Sequence, residues 1–171
     1  MAADTCGWRR VVPSPRPVRL MQAASNRLLA VAGATAIGSG GGVPVTVDSK
    51  GRPHVVEGVV DEDLAAVVLA GSVAADILLL LTDVDRVYAA FGTREERGLD
   101  RITIGEAAAL VEASELGSGS MRPKVEACMQ FAAQGGVAII AALEDAAAAV
   151  DGNAGARIVP ADAPATVGTA C

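Results

Sequence analysis

Four short stretches carry side chains that could do chemistry. GVVDEDLAAVVLA, residues 58–70, places Asp61, Glu62 and Asp63 just before an apolar run. Acids there are either a working group or charge in the first turn of a helix, where each interacts favourably with the helix dipole by about 0.3–1 kcal/mol. The stretch alone supports both readings. LTDVDRVY, residues 81–88, ends an apolar run with Asp83 and Asp85, carboxylates that could bind Mg2+, cap a turn or accept from a ribose hydroxyl. GSGSMRPKVEA, residues 117–127, sets Lys124 in the first turn of a helix behind a glycine-serine loop. A cation there opposes the helix dipole, whereas a lysine beside unpaired helix amides makes a phosphate clamp. SGGGV, residues 39–43, lets bare backbone N–H groups approach an anion, or simply turns the chain. Its spacing is not that of a Rossmann fingerprint, and no Lys-Ser or Lys-Thr follows as in a Walker loop.

Other chemistries are excluded by inventory. His54 is the one histidine of the 171 residues, so a His-based metal site or a Ser-His triad is not available. Cys6, Cys128 and Cys171 are far apart and form no CxxC, which argues against a disulfide framework or a zinc site and for a reducing compartment. Cys128 falls on an apolar helix face and reads as core; Trp8 reads as a packing residue. A net charge of −6 argues against nucleic acid as the main partner. The start has no signal-like apolar core, and the longest strongly apolar stretch, 77–81, is far below the roughly 20 residues of a membrane helix. The expectation is a soluble, cytoplasmic protein with no membrane or nucleic-acid partner.

The elements that must position these residues follow from periodicity. Residues 1–17 contain VVPSPRP, whose prolines predict an extended entry. Apolar residues recur at helical spacing over 18–32, with Gly33 as a stop. ATAIG, residues 34–38, reads as a short buried strand leading into the glycine loop. VPVTV and HVVEGVV read as further strands around a DSKGRP turn. A helix begins near Asp61. DILLLLT, residues 76–82, has the pattern of a central parallel strand covered on both faces. Thr103 and Glu106 form a capping-box signature before AAALVEA. Val125, Cys128, Met129 and Ala132 mark the inner face of a helix ending at Gly135-Gly136. VAIIAA, LEDAAAAV and ARIV then read as strand, short helix and strand. The alternation predicts an α/β fold with a largely parallel sheet, in which ligands sit at the strands' carboxyl ends. The domain spans residues 18–160, and a Pro/Ala/Thr tail, 161–171, is expected to fray.

In order along the chain, GWRRVVPSPRP, SGGGVPV, VVDEDLAA, LTDVDRVY, GSGSMRPKVEA and ARIVP resemble carbamate kinase, of the amino-acid-kinase family, from about Gly7 to Pro160. The resemblance implies a three-layer αβα sandwich, truncated here on its N-terminal side, whose present half mainly holds ATP. It implies the reversible reaction of ATP and carbamate to ADP and carbamoyl phosphate, with Mg2+, and either a homodimer or association with the missing N-terminal half. By position it assigns Lys124 to the phosphates and Asp63, with Asp61, to the catalytic turn. Thr82, Asp83, Tyr88 and Met121 fall on the nucleotide-facing segments, and Gly40, Gly41 and Gly42 on the glycine-rich loop. No metal ligand is assigned to the protein itself. Phosphoryl transfer suits this inventory, since it asks for positioning and charge neutralisation.

Departures from the family pattern shape a second expectation. The family's middle lysine of its D-K-D turn is Glu62 here, its first loop glycine is Ser39, and two further glycines are Arg86 and Arg122. Reversing one charge about 4 Å from the phosphate is worth about 4 kcal/mol at an effective dielectric of 20, or roughly three powers of ten in rate. The alternative to a kinase is therefore a catalytically inactive nucleotide-binding or oligomerisation module. Acetylglutamate and uridylate kinases fit less well, because GWRRVVPSPRP is closer to carbamate kinase.

Overall fold

The computed structural model describes residues 2–4, 7–9, 11–38, 42–116 and 120–160. They divide into two units, Met1–Leu69 and Ala70–Cys171. The glycine-serine loop at 117–119 and the tail after residue 160 lie outside the described residues, as do Cys6, Cys171 and the side chain of Trp8.

The first unit holds two hairpins, an uncapped helix and most of a second helix. β1 (Ala2–Asp4) and β2 (Gly7–Arg9) pair antiparallel, with Ala3 opposite Trp8, inside the segment expected to be merely extended. α1 covers Ala23–Val31, shorter than the 18–32 pattern. Its N-cap, Gln22, makes no side-chain cap, its first turn carries no acid, and none of its residues is buried. Without a cap or a packed face, nothing holds the preceding turn helical. Gly33, at φ +78°, ends the helix as expected, and Ala34 donates back to the Leu29 carbonyl at 2.9 Å.

The strand expected at 34–38 does not form: among the described residues nothing pairs with it, and Ile37 is 95 % exposed. A strand without a neighbour leaves its N–H and C=O groups to water and gains no ladder. β3 (Val45–Val47) and β4 (Pro53–Val55) do pair, antiparallel, around a turn held by Asp48. The Asp48 carboxylate accepts from the backbone of Lys50 and Arg52 at 2.8 and 2.9 Å. α2 (Glu62–Val73) then begins where the DED triplet predicts.

The second unit has a sheet and a core. β5 (Ile77–Thr82), β6 (Val87–Ala89), β7 (Arg97–Leu99) and β8 (Arg101–Thr103) lead into α3 (Ile104–Glu112) and α4 (Met121–Ala132). β9 (Val137–Ala142), a 3-10 turn at Leu143–Asp145, α5 (Ala146–Val150) and β10 (Ala156–Val159) complete it. β6 and β7 form a separate hairpin. The main sheet runs β5-β9-β10-β8, parallel at β5/β9 and β10/β8 and antiparallel at β9/β10.

The sheet is thus mixed, with parallel pairs in the majority. The 3-10 turn, α5 and residues 151–155 link β9 to β10, which comes back antiparallel. β5 is also not central: among the described residues it has one neighbour, β9, and Ile77 and Leu81 stay partly exposed. β6, β7 and β8 escape sequence reading because three residues are too few for a period of two.

α3 and α4 pack on each other and on the sheet, and α5 packs on β5 and β9. This is the α/β architecture that the alternation predicts, and it fits the αβα sandwich that the resemblance implies. Ile139 and Ala141 meet Ala149 of α5 on one side of β9, while Ala138 and Ile140, pointing the other way, are equally buried. α3 carries the full capping box. Thr103 Oγ1 accepts the Glu106 N–H at 3.3 Å, and Glu106 Oε2 accepts the Thr103 N–H at 2.7 Å. The bond from the Thr103 N–H, and after it one from the Thr103 hydroxyl to Oε2 at 2.9 Å, hold the Glu106 carboxyl below its usual range.

Candidate functional site

In the first unit, the start of α2 is organised by Asp61. Its Oδ1 accepts the backbone N–H of Leu64 at 3.0 Å, and its carbonyl accepts from Ala65 at 3.0 Å. That is an N-cap, which satisfies one of the helix's orphan donors. Glu62 points to solvent, whereas Asp63 is buried, 7 % exposed, and is the one buried charged side chain among the described residues. Burying a carboxylate is costly unless it is partnered, and Asp63 does interact with its surroundings. The triplet therefore holds three different roles: a cap, a solvated acid and a buried acid. Gly42 is half-buried and its carbonyl lies 3.5 Å from the Val60 N–H; Gly40 and Gly41 fall outside the described residues.

In the second unit, the segment after β5 carries two hydrogen-bonded polar groups. The Thr82 hydroxyl donates to Asp83 Oδ1 at 3.0 Å. Across the turn, the Tyr88 hydroxyl donates to Asp85 Oδ1 at 2.7 Å, and Arg86 Nε donates to Asp85 Oδ2 at 2.9 Å. Arg86 also reaches Asp100. The Tyr88 bond, and after it the Arg86 guanidinium, hold the Asp85 carboxyl below the usual carboxylate range. The same bond pushes the Tyr88 phenol up. Gly98, opposite Tyr88 in the hairpin, makes room for this arrangement: a Cβ there would stand 2.7 Å from Arg86 Cδ.

Met121 and Lys124, three residues apart, share a face of the first turn of α4, both half-buried. Ser120 supplies no side-chain cap, and Pro123 is tolerated because the first turn needs no internal N–H donor. Lys124 is engaged with neighbours. Arg122 pairs with Glu126 at 2.9 Å along the helix. Val125, Cys128 and Ala132 are fully buried, as the apolar face predicts.

The structure thus joins Thr82 to Asp83 and sets Met121 beside Lys124. It also shows what sequence reading passed over: Asp85 is the acceptor that orients Tyr88, and Arg86 ties the turn to Asp100. The D-x-D spacing was the available signal, but its meaning depends on β6, which is too short to recognise.

These positions fall within a known family. The model of the amino acid kinase family matches residues 10–142, through the end of β9. The chain belongs to the amino acid kinase family.

Within it, the chain is 49 % identical over 158 residues to the carbamate kinase of Halobacterium salinarum, covering 91 % of this chain and 51 % of that protein. It is 41 % identical to the carbamate kinase of Pyrococcus horikoshii, over 90 % of this chain and 49 % of that one. Among solved structures, the carbamate kinase from Giardia lamblia bound to AMP-PNP superimposes with a TM-score of 0.82 at 36 % identity, over 88 % of this chain and 53 % of that chain. The chain spans about half the length of the curated relatives it matches. Among the described residues no helix is long and apolar enough to cross a membrane.

Proposed function

We propose that this chain is the nucleotide-holding half of a carbamate kinase-like phosphotransferase that interconverts ATP plus carbamate with ADP plus carbamoyl phosphate. The 49 % identity to a carbamate kinase across 91 % of the chain carries the reading. The likeness to the Giardia enzyme bound to AMP-PNP supports the nucleotide as ligand.

In this reading a carbamate oxygen attacks the γ-phosphorus and the bond to the β-phosphate oxygen breaks, with no covalent bond to the protein. The protein's work is to place the phosphates and offset their charge. Lys124 supplies the cation, beside the unpaired amides that open α4. Met121, Thr82, Asp83 and Tyr88 hold the nucleotide, and Gly40, Gly41 and Gly42 offer backbone N–H groups to an anion. Asp63 is the carboxylate of the catalytic turn, placed to organise catalytic lysines, and Asp61 fixes the turn that carries it.

Among the described residues no three His, Cys, Asp or Glu side chains gather into a metal cage. Mg2+ is commonly held by one or two carboxylates, water and substrate phosphates. Arriving with the nucleotide, it would neutralise phosphate charge. A cytoplasmic location and assembly, as a homodimer or with the other half of the family fold, belong to the same reading.

One observation favours a second reading, a nucleotide-binding module without turnover. The resemblance places a lysine where Glu62 stands, and both arginines that could replace its charge are already paired, Arg86 with Asp85 and Asp100 and Arg122 with Glu126.

Thermal melting with and without Mg-ADP, beside Lys124→Ala, tests the shared part of both. Ligand at 100 times its Kd adds about 2.7 kcal/mol, which raises the melting temperature by several degrees. A rise in the parent that is lost in Lys124→Ala is the expected result; a melt indifferent to nucleotide overturns both readings. ATP formation from Mg-ADP and carbamoyl phosphate, absent even with the other half of the fold supplied, would select the module.

A further inference from the structure

The turn after β5 holds two charged side chains that the proposed function leaves idle, Asp85 and Arg86. Both bear on Tyr88. Its neighbours in β6, Val87 and Ala89, are 0 % and 1 % exposed, so the strand itself is fixed. Tyr88 alternates to the other face, where it is half-buried. Its outer end is held by the bond from its hydroxyl to Asp85 Oδ1 at 2.7 Å. Asp85 is 44 % exposed and would turn in water if nothing held its second oxygen.

Arg86 holds it. Nε donates to Asp85 Oδ2 at 2.9 Å, and Nη1 of the same guanidinium donates to Asp100, between β7 and β8. The planar fork thus spans two carboxylates from two segments, which fixes its plane as one ammonium could not. Its stem is seated too. A Cβ on Gly98 would stand 2.7 Å from Arg86 Cδ and 3.4 Å from Tyr88 Cε1, so stem and ring lie together over this glycine. A lone exposed ion pair contributes little, but here one guanidinium ties two carboxylates, one of which orients a third group. The family pattern has glycine where Arg86 stands, with no side chain to make the tie.

We propose that Arg86 is a positioning residue for the nucleotide: clamped on Asp100, it aims Asp85 at the Tyr88 hydroxyl and so sets the ring that holds the nucleotide. The proposal rests on the reading of Tyr88 as a nucleotide-holding residue. Arg86 touches no phosphate in this scheme, and its effect on the ligand passes through Tyr88.

Tyr88 is the one tyrosine of the sequence, so ultraviolet titration of the full chain without nucleotide reads its phenol alone. The hydrogen bond to Asp85, burial and the charges of Asp85 and Glu96 raise that phenol, and the Arg86 cation lowers it. The two possible roles of Arg86 therefore give opposite signs in Arg86→Ala. If Arg86 holds Asp85 in place, the bond loosens and the phenol falls toward its ordinary 10.0, the expected result. If Arg86 is only a nearby cation, the bond persists, a favourable charge is lost and the phenol climbs further. Mg-ADP affinity of the same variant should weaken about threefold to tenfold, the range of one lost hydrogen bond. Arg86→Ala added to Tyr88→Phe should weaken it no further. Asp100→Asn, at a side chain 81 % exposed, removes only the outer anchor and should reproduce part of the Mg-ADP loss.

A climbing phenol overturns the proposal. So does parent-like Mg-ADP affinity in Arg86→Ala or in Asp100→Asn, or a double variant in which the two losses add. Failure of the parent itself to bind Mg-ADP overturns the underlying nucleotide reading, and the proposal with it. The titration needs no nucleotide, which keeps that result distinct from a broken link between Arg86 and Asp85.

Discussion

In the second unit the apolar side chains between the sheet and its helices are buried; in the first, those of α1 and of the segment after it are not. Phe131, Ile139, Ile140, Ile158 and Val159 are buried to within 2 %, because a four-stranded sheet gives helices α3, α4 and α5 a surface to cover. Leu28, Val31 and Ile37 are as apolar, but among the described residues the strands of their unit form two-stranded hairpins and no larger sheet. Burial is a property of the neighbours a residue is given. The second unit brings its own.

The sharpest way to break this contrast is a matched pair of truncations. Phe131→Ala should cost about 3–5 kcal/mol, as large-to-small changes in a packed core do. Leu28→Ala, at a largely exposed position, should stay within about 0.5 kcal/mol. Urea midpoints of the two variants measure the gap, and equal losses would mean that Leu28 is covered in solution. A smaller effect probes the same core from the opposite side. Gly136 lies against the Phe131 ring, where a Cβ would come within 2.3 Å of Cε1. Gly136→Ala should therefore cost about 1–3 kcal/mol by overpacking. Gly33→Ala, in open space at positive φ, should show only the backbone penalty of about 1 kcal/mol.

A third effect is local. Removing the α3 cap by Thr103→Ala should cost about 1 kcal/mol. Thr103→Ser, which keeps the hydroxyl that meets Glu106, should recover most of it in the same urea titration.

The contrast between units also explains what could be read from the sequence. Elements of the second unit were legible wherever the pattern was long: 76–82 and 137–142 are uninterrupted apolar runs, 121–132 declares a helical period, and the capping box at Thr103 and Glu106 is a local chemical signal that tertiary packing did not override. Their neighbours were not legible. Nothing in DILLLLT says that β5 would have one partner and not two, and β6, β7 and β8 are too short to declare themselves. In the first unit ATAIG was misread, since strand composition describes what a segment could bury and not whether a partner is there. The candidate site divides likewise. The acids of DED were visible as a cluster, but only coordinates separate Asp61 the cap from buried Asp63 and solvated Glu62. Asp85 went unassigned because its partner, Tyr88, faces it across a turn.

That Asp85–Tyr88 pair gives the smallest effect and the most specific one. The hydrogen bond from Tyr88 is the main reason the Asp85 carboxyl lies below its ordinary value of 3.8. A depressed carboxylate stabilises the fold above that ordinary value and loses its contribution as pH falls through the lower folded value. The phenol, raised above its ordinary 10.0 by the same bond, stabilises the fold below that value and ceases to do so as pH climbs past the folded one. Tyr88→Phe removes the bond from both ends. Its stability should fall slightly below the parent's between about pH 4 and pH 10, with the two curves converging in acid and in alkali. Because Asp85 is 44 % exposed, solvent screening keeps this gap narrower than that of the capping variant. Urea midpoints taken from pH 2.5 to pH 11 would show it. A gap of constant width over that whole range would mean that Tyr88 contributes through packing alone, and that the turn after β5 is held by Arg86 and its two carboxylates.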